Sequence, residues 1–103
     1  MAQVPTVFQA LADERRRAVL ELLGDRELTA TEIAGRFDVS RQAVSQHLRT
    51  LLEAGLLVER RSGTRRYYRV RPEGLDEARA FLDLFWSARL DALRDAARRD
   101  GGA

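Results

Sequence analysis

Residues 29–53, TATEIAGRFDVSRQAVSQHLRTLLE, decide how the rest of the chain is read. Thr29 followed three residues later by Glu32 is the spacing of a capping box, in which hydroxyl and carboxylate each accept from the other residue's backbone N–H. A helix is therefore expected to begin at Ala30. Phe37-Asp38-Val39 interrupts it, Asp38 being tolerant of a left-handed turn conformation. Ser40 is a favoured N-cap for a second helix beginning at Arg41. Ile33, Ala34 and Phe37 are expected to face inward from the first helix, with Val39 filling the turn. Two short helices joined in this way form a helix-turn-helix.

At about 100° per residue, Val44, Leu48, Leu51 and Leu52 share one arc of the second helix, which must be its core side. Gln42, Ser45, Gln46 and Arg49 lean the other way, with Ser40 and Arg41 at the N-terminal edge. A DNA major groove accepts such side chains: Arg donates two hydrogen bonds to guanine O6 and N7, Gln matches adenine, and Ser serves either. Groove contact is favoured over ordinary surface polarity because this helix leads directly into an arginine-rich segment. His47 lies near the edge of the buried arc. There a half-buried histidine, satisfied by a backbone or phosphate group, is expected in a structural or phosphate-positioning role.

Beyond the second helix, Ala54-Gly55-Leu56 fits a helix stop with Gly at C′, and the hydrophobic period changes from 3.6 to 2. Residues 56–61 and 64–71 read as two strands around Ser62-Gly63, a pair suited to a tight hairpin turn. Arg60, Arg61, Arg65 and Arg66 are expected to cluster at its tip around Gly63 and Thr64. Such a tip would track phosphates or enter an adjacent minor groove. One of Tyr67 and Tyr68 is expected to pack on the core.

On the N-terminal side, residues 4–12 have the spacing of a short amphipathic helix, Asp13 suits an N-cap, and residues 14–23 form a second helix that Gly24 stops. The Arg15-Arg16-Arg17 run reads as a solvated face with one Arg paired to an acid. At the other end Pro72-Glu73-Gly74 is expected to break the strand, before a long helix over residues 75–99. Its broad apolar stripe includes Phe81, Leu82, Phe85, Trp86, Leu90 and Leu93. That is more than a small domain needs to cover its own core, so part of the stripe is expected to pair with a second subunit. Residues 100–103 are expected to fray.

Composition narrows the function classes. The 103 residues suffice for one domain, and the chain carries no cysteine and one histidine, which excludes disulfides, thiolate metal sites and thiol redox chemistry. With no Gly-rich phosphate loop either, no nucleophile–base pair can be proposed for an enzyme. Asp76, Glu77 and Asp83 are expected to be solvated helix positions rather than an oxygen-only metal site. No apolar run approaches a membrane span and no secretory signal is visible, so a cytoplasmic location is expected. Net charge is only +2, but it divides as −2, +6 and −2 over residues 1–35, 36–71 and 72–103. A basic block in the middle of the chain suggests a phosphate-facing surface.

FQALADERRRAVLELL, ELTATEIAGRFDVSRQAVSQHLRTLLEAGLL and VERRSGTRRYYRV, in this order, resemble the ArsR/SmtB family of bacterial winged-helix repressors over residues 4–97. The resemblance implies a mostly α, winged helix-turn-helix fold in a single domain. The helix-turn-helix lies at about 30–53, the wing at about 56–71 and a dimerisation helix at about 75–99. It further implies a homodimer formed through the first and last helices, so that Val4 and Phe8 join the apolar stripe, and binding to an inverted-repeat operator in double-stranded DNA. Two departures stand out. Glu14-Arg15 replaces a frequent Pro-Thr pair, and Thr31, Glu32 and Asp76 stand at places where metal-sensing members carry ligands. No metal site carries over and no cofactor is expected; an unidentified small-molecule or protein effector is left open. The alternative is a winged helix used as a protein-interaction module, docking through Phe81, Phe85 and Trp86.

Overall fold

The computed structural model describes residues 6–101. Local chemistry sets most of the element boundaries. Helix α1 (Val7–Leu11) starts from Thr6, whose hydroxyl accepts from Gln9 N–H while the Gln9 side chain accepts from Thr6 N–H. Val4, assigned above to the same helix, lies outside the described residues. Helix α2 (Glu14–Leu23) starts from Asp13, whose carboxylate accepts from Arg15 N–H and Arg16 N–H, and ends at Gly24 with φ 54°. Helix α3 (Ala30–Ala34) has the expected capping box between Thr29 and Glu32. Helix α4 (Arg41–Glu53) starts from Ser40, whose Oγ accepts from Ala43 N–H, and Gly55 follows its C-cap with φ 78°.

The turn between α3 and α4 differs from expectation. Gly35 already caps α3, so Phe37 packs on the core from outside the helix, and no non-glycine residue among those described has a positive φ. Asp38 is therefore not left-handed.

The apolar sides of these helices meet over one core. Val19 and Leu23 of α2, Ile33 of α3, Val44, Leu48 and Leu51 of α4, and Leu56 at the following bend are all buried. Ala10 of α1, fully buried, closes one side. The sheet covers another with Leu57 and Tyr68, so Tyr68 is the tyrosine that packs inward while Tyr67 stays half-exposed.

The hairpin consists of β2 (Leu57–Ser62) and β3 (Arg65–Val70), paired antiparallel with Ser62 opposite Arg65. Its two-residue loop is thus Gly63-Thr64, one residue beyond the Ser62-Gly63 expected. Gly63 has φ 62°, which suits the first central position of a turn whose twist matches the strands. A third strand, β1 (Leu28–Thr29), pairs with β3 to give the order β1-β3-β2. It is too short to leave a periodic pattern in the sequence.

Strand β3 ends just before Pro72, as expected, and Pro72 also begins helix α5 (Pro72–Phe85), ahead of the expected start at residue 75, because proline suits a first helical position whose N–H has no partner. Gly74 lies inside α5, where a Cβ would overlap the backbone carbonyl of Gly55. Arg71 donates to the same carbonyl at 3.2 Å. The long helix is therefore seated directly on the backbone at the end of α4.

A π-helical segment, Trp86–Leu90, links α5 to α6 (Asp91–Gly101). Asp100 and Gly101, expected to fray, are helical; Gly102 and Ala103 lie outside the described residues. The π segment has a geometric effect. A continuous α-helix at about 100° per residue would place Leu90, Leu93 and Ala97 about 140°, 80° and 120° around from Phe85. A π turn, closed by i→i+5 bonds, absorbs an additional residue and swings them back toward the Phe81–Phe85 side.

The rod of α5 and α6 leaves the body, and the radius of gyration is 18.0 Å, against about 13 Å for a compact chain of this length. No helix among the described residues is long and apolar enough to cross a membrane.

Gly74→Ala is expected to lower unfolding free energy by about 1–3 kcal/mol, the range for forcing atoms into a filled site. Gly35→Ala, whose Cβ would sit 3.5 and 3.6 Å from its nearest neighbours, should leave stability unchanged or raise it by up to about 1 kcal/mol. Urea unfolding of the two variants checks the contrast.

Candidate nucleic-acid interface

With Val44, Leu48 and Leu51 buried, the opposite side of α4 has to face outward. Arg41, Gln42, Ser45, Gln46 and Arg49 are all exposed on it. Ser40 is exposed too, but its hydroxyl is engaged in the N-cap. The wing rises beside this helix. Between them lies a cleft of about 540 Å³, lined by Thr31 and Glu32 of α3, Arg41 and Ser45 of α4, and Thr64, Arg65 and Arg66 of the wing. The structure thus brings Arg41 and Ser45 of the helix together with Thr64, Arg65 and Arg66 of the hairpin on one concave surface, while Gln42, Gln46 and Arg49 are exposed on α4, and Arg61 and Gly63 on the hairpin, outside that cleft.

Arg60 is an exception. It was expected at the tip, but it sits opposite Tyr67 in the body of the sheet. Its guanidinium lies 4.6 Å from the Tyr67 ring centroid and reaches Glu27, with Nη2 2.7 Å from Oε1 and Nε 3.1 Å from Oε2. This ion pair ties the outer strand across β3 to the segment before β1. The hydrogen bond from Arg60, reinforced by its charge, lowers the Glu27 pKa against the opposing effect of desolvation. Arg60 is raised in turn, first by the hydrogen bond to Glu27. The sequence contained no local sign of the pair, since 33 residues separate the partners.

Glu59, opposite Tyr68 in the body of the sheet, reaches toward the tip and lies 3.9 Å from Arg61 Nε and 3.7 Å from Arg66 Nε, near the outer limit of an ion pair. Both guanidinium groups stay exposed. Gly63 has open space around its Cα and Thr64 is exposed beside it, so the turn can approach a second surface closely.

Two further expectations are corrected. Arg16 and Arg17 are not a merely solvated face with an acid partner: Arg16 donates to the carbonyls of Ala10 and Gln9, and Arg17 to that of Leu11. They close the C-terminal end of α1. His47 is half-buried, as expected, but its Nδ1 is buried with no hydrogen-bond partner among the described residues. Its charge acts on Asp13. Burial works against ionisation of that carboxyl, yet the N–H groups of Arg16 and Arg15, then His47 and Arg16 as charges, bring its pKa below the ordinary value.

A second exposed surface runs along the rod. Phe81 and Trp86 are 57% and 53% exposed, and Phe8 of α1 meets Phe81 edge-on at 5.5 Å. Leu82, Phe85 and Leu93 are exposed as well, and Leu90 partly so. Leu84, not included in the expected stripe, is 71% exposed. Arg89 and Arg94 lie over the rings of Phe85 and Trp86. Among the described residues no group of three or more His, Cys, Asp or Glu converges as metal ligands would, and Asp76, Glu77 and Asp83 are exposed.

An outward polar helix beside an arginine-bearing hairpin defines a winged helix-turn-helix protein. Comparison with known proteins specifies the class. A helix-turn-helix domain family matches residues 11–60. The HTH-type transcriptional regulator Rv2034 of Mycobacterium tuberculosis is 48% identical over 83 residues, 81% of this chain and 78% of the relative. The arsenic resistance transcriptional regulator ArsR2 of Pseudomonas putida is 35% identical over 100 residues, 96% of this chain and 87% of its own. Among solved structures, the homodimeric winged helix-turn-helix DNA-binding domain (fragment 1–100) of Mb0332 from Mycobacterium bovis, a possible ArsR-family transcriptional regulator, superposes with TM-score 0.64 at 33% identity, covering 82% of this chain and 78% of that one. The chain belongs to the ArsR family of helix-turn-helix transcriptional regulators.

Followed by NMR, the Glu27 carboxyl should titrate below the ordinary glutamate range, and Arg60→Ala should return it there. Because the folded-state pKa is the lowered one, the pair's contribution is present at neutral pH and is lost as pH falls through that pKa. The protection factors of the β1 and β2 amides, which take out the intrinsic pH dependence of exchange, should fall as the pH drops through that point.

Proposed function

We propose that the protein is a homodimeric repressor that binds a two-fold symmetric operator in double-stranded DNA. The observation that carries this reading is the cleft in which Arg41 and Ser45, on the exposed face of α4, meet Thr64, Arg65 and Arg66 of the wing. α4 enters the major groove, where Arg41, Gln42, Ser45, Gln46 and Arg49 meet base edges and phosphates, and Ser40 sets the helix start against the backbone. The wing approaches the backbone or the neighbouring minor groove with Arg61, Gly63, Thr64, Arg65 and Arg66. Arg60 acts on the wing's shape through Glu27 more than on DNA.

The dimer forms through Phe8 and the rod, with Phe81, Leu82, Phe85, Trp86, Leu90 and Leu93 at its centre and Val4 assigned to the same surface. An aromatic face of this extent on a small monomer needs a cover, and two-fold pairing is the commonest way to supply one. The homodimeric relative from Mycobacterium bovis supports the choice of a second copy over an unrelated protein partner. Thr31, Glu32 and Asp76 supply no thiolate or imidazole, so release from DNA is assigned to an unidentified small molecule or protein rather than to a transition metal. The reading places the protein in the cytoplasm with its DNA.

Arg49→Ala and Arg65→Ala should each raise the Kd for the operator about tenfold, the loss of one good contact. Log affinity should fall linearly with log salt, and Arg65→Ala should reduce that slope by about one. Salt-insensitive binding, or full affinity in an Arg41/Gln42/Gln46 triple alanine variant, would sink the proposal. Footprints should show half-sites with centres about 34–36 Å apart.

Phe85→Glu combined with Trp86→Glu should convert the dimer to a folded monomer in sedimentation. An unchanged dimer would place the subunit contact elsewhere.

A further inference from the structure

We infer that Thr31 is a positioning residue for base recognition: its hydroxyl holds the guanidinium of Arg41 and thereby sharpens base choice at one operator position. The inference rests on the proposal that α4 enters the major groove. Arg41 is the first residue of α4, exposed, and its Nη2 donates to Thr31 Oγ1 at 2.9 Å. Thr31 is the second residue of α3, and α3 is itself fixed by the Thr29–Glu32 capping box and by Ile33, which is fully buried. The acceptor thus sits on a rigid element that belongs to the body of the domain, and both side chains line the cleft between α4 and the wing.

The chemistry of the acceptor matters. Arg60 shows the other way of holding an arginine in this fold: a carboxylate along the Nε–Nη2 edge of the guanidinium, which fixes the side chain and compensates its charge. Thr31 offers one neutral oxygen. A single hydroxyl occupies one of the five N–H donors of Arg41 and leaves its charge and the remaining donors available. Two of those suffice for the parallel pair that guanine O6 and N7 accept.

An untethered arginine at a helix start samples many rotamers and reaches phosphates as readily as bases. Held by Thr31, it has lost much of that freedom before DNA arrives. The effect of the tether is therefore on which base pair is preferred, more than on how strongly DNA is bound overall.

The test is in vitro selection from randomised duplexes with the whole chain, comparing wild type, Thr31→Val, Thr31→Ser, Arg41→Ala and the Thr31→Val/Arg41→Ala double variant. Arg41→Ala identifies the base pair that Arg41 reads. Thr31→Val, which keeps the β-branched shape and so the local packing, should reduce preference at that same base pair about three- to tenfold, leaving the other positions and the salt slope as they were. Thr31→Ser should keep wild-type preference, and the double variant should match Arg41→Ala alone.

A structural role for Thr31 would instead weaken every position alike, with a lowered thermal midpoint, and that result overturns the inference. So does full preference in Thr31→Val when Arg41→Ala has lost it; in that case the groove assignment of α4 stands. Unchanged preference in Arg41→Ala would remove Arg41 from base reading, and the role of Thr31 with it.

Discussion

Burial of one stripe of α4 is the constraint on which the remaining geometry depends. Val44, Leu48 and Leu51 are almost without solvent exposure, and burying three such side chains contributes on the order of 5–8 kcal/mol. That exceeds anything gained by rotating the helix to satisfy a polar side chain. Once the stripe is inward, Gln42, Ser45, Gln46 and Arg49 have no freedom to be anywhere but outside. The surface proposed to meet DNA is in this sense the remainder left by core packing, held with the rigidity of the core.

The elements legible in the sequence are those decided by neighbours a few residues apart. Thr29 with Glu32, Asp13 and Ser40 satisfy helix N–H groups within three residues, and Gly55 meets the positive φ at the end of α4, so each boundary follows from side-chain chemistry already present in the string. The outward face of α4 was legible for the same reason, since helical period alone separates Leu48 from Arg49. What escaped depends on distant partners. The strand β1 exists only because β3 comes alongside it, and Arg60 leaves the tip only because Glu27 lies within reach. Pro72 ends the strand, as its neighbours in the sequence predict, but proline also suits a first helical position, and nothing local in the sequence shows that α5 starts there rather than at residue 75.

Charge counting needed a similar correction. Of the basic residues in the middle of the chain, Arg60 is compensated by Glu27 and Arg71 is directed to the carbonyl of Gly55. Arg41, Arg49, Arg61, Arg65 and Arg66 lie exposed on the helix face and the wing tip. Glu32, whose carboxylate is held by Thr29 N–H and then by the Thr29 hydroxyl, keeps its negative charge in the cleft facing them. The charge around the cleft is accordingly mixed, Glu32 standing among Arg41, Arg65 and Arg66, and such a pattern favours a docking orientation as well as attraction.

The contact between Gly74 and Gly55 makes α5 and α4 mechanically one piece. No flexible linker intervenes, and a backbone-to-backbone seat has less give than one made of side chains. In the proposed dimer the phase between the two reading heads is therefore set inside each protomer. One base pair inserted between half-sites turns one half-site by about a tenth of a helical turn relative to the other. With no compliant joint to absorb that rotation, tolerance to spacing must come from bending the DNA.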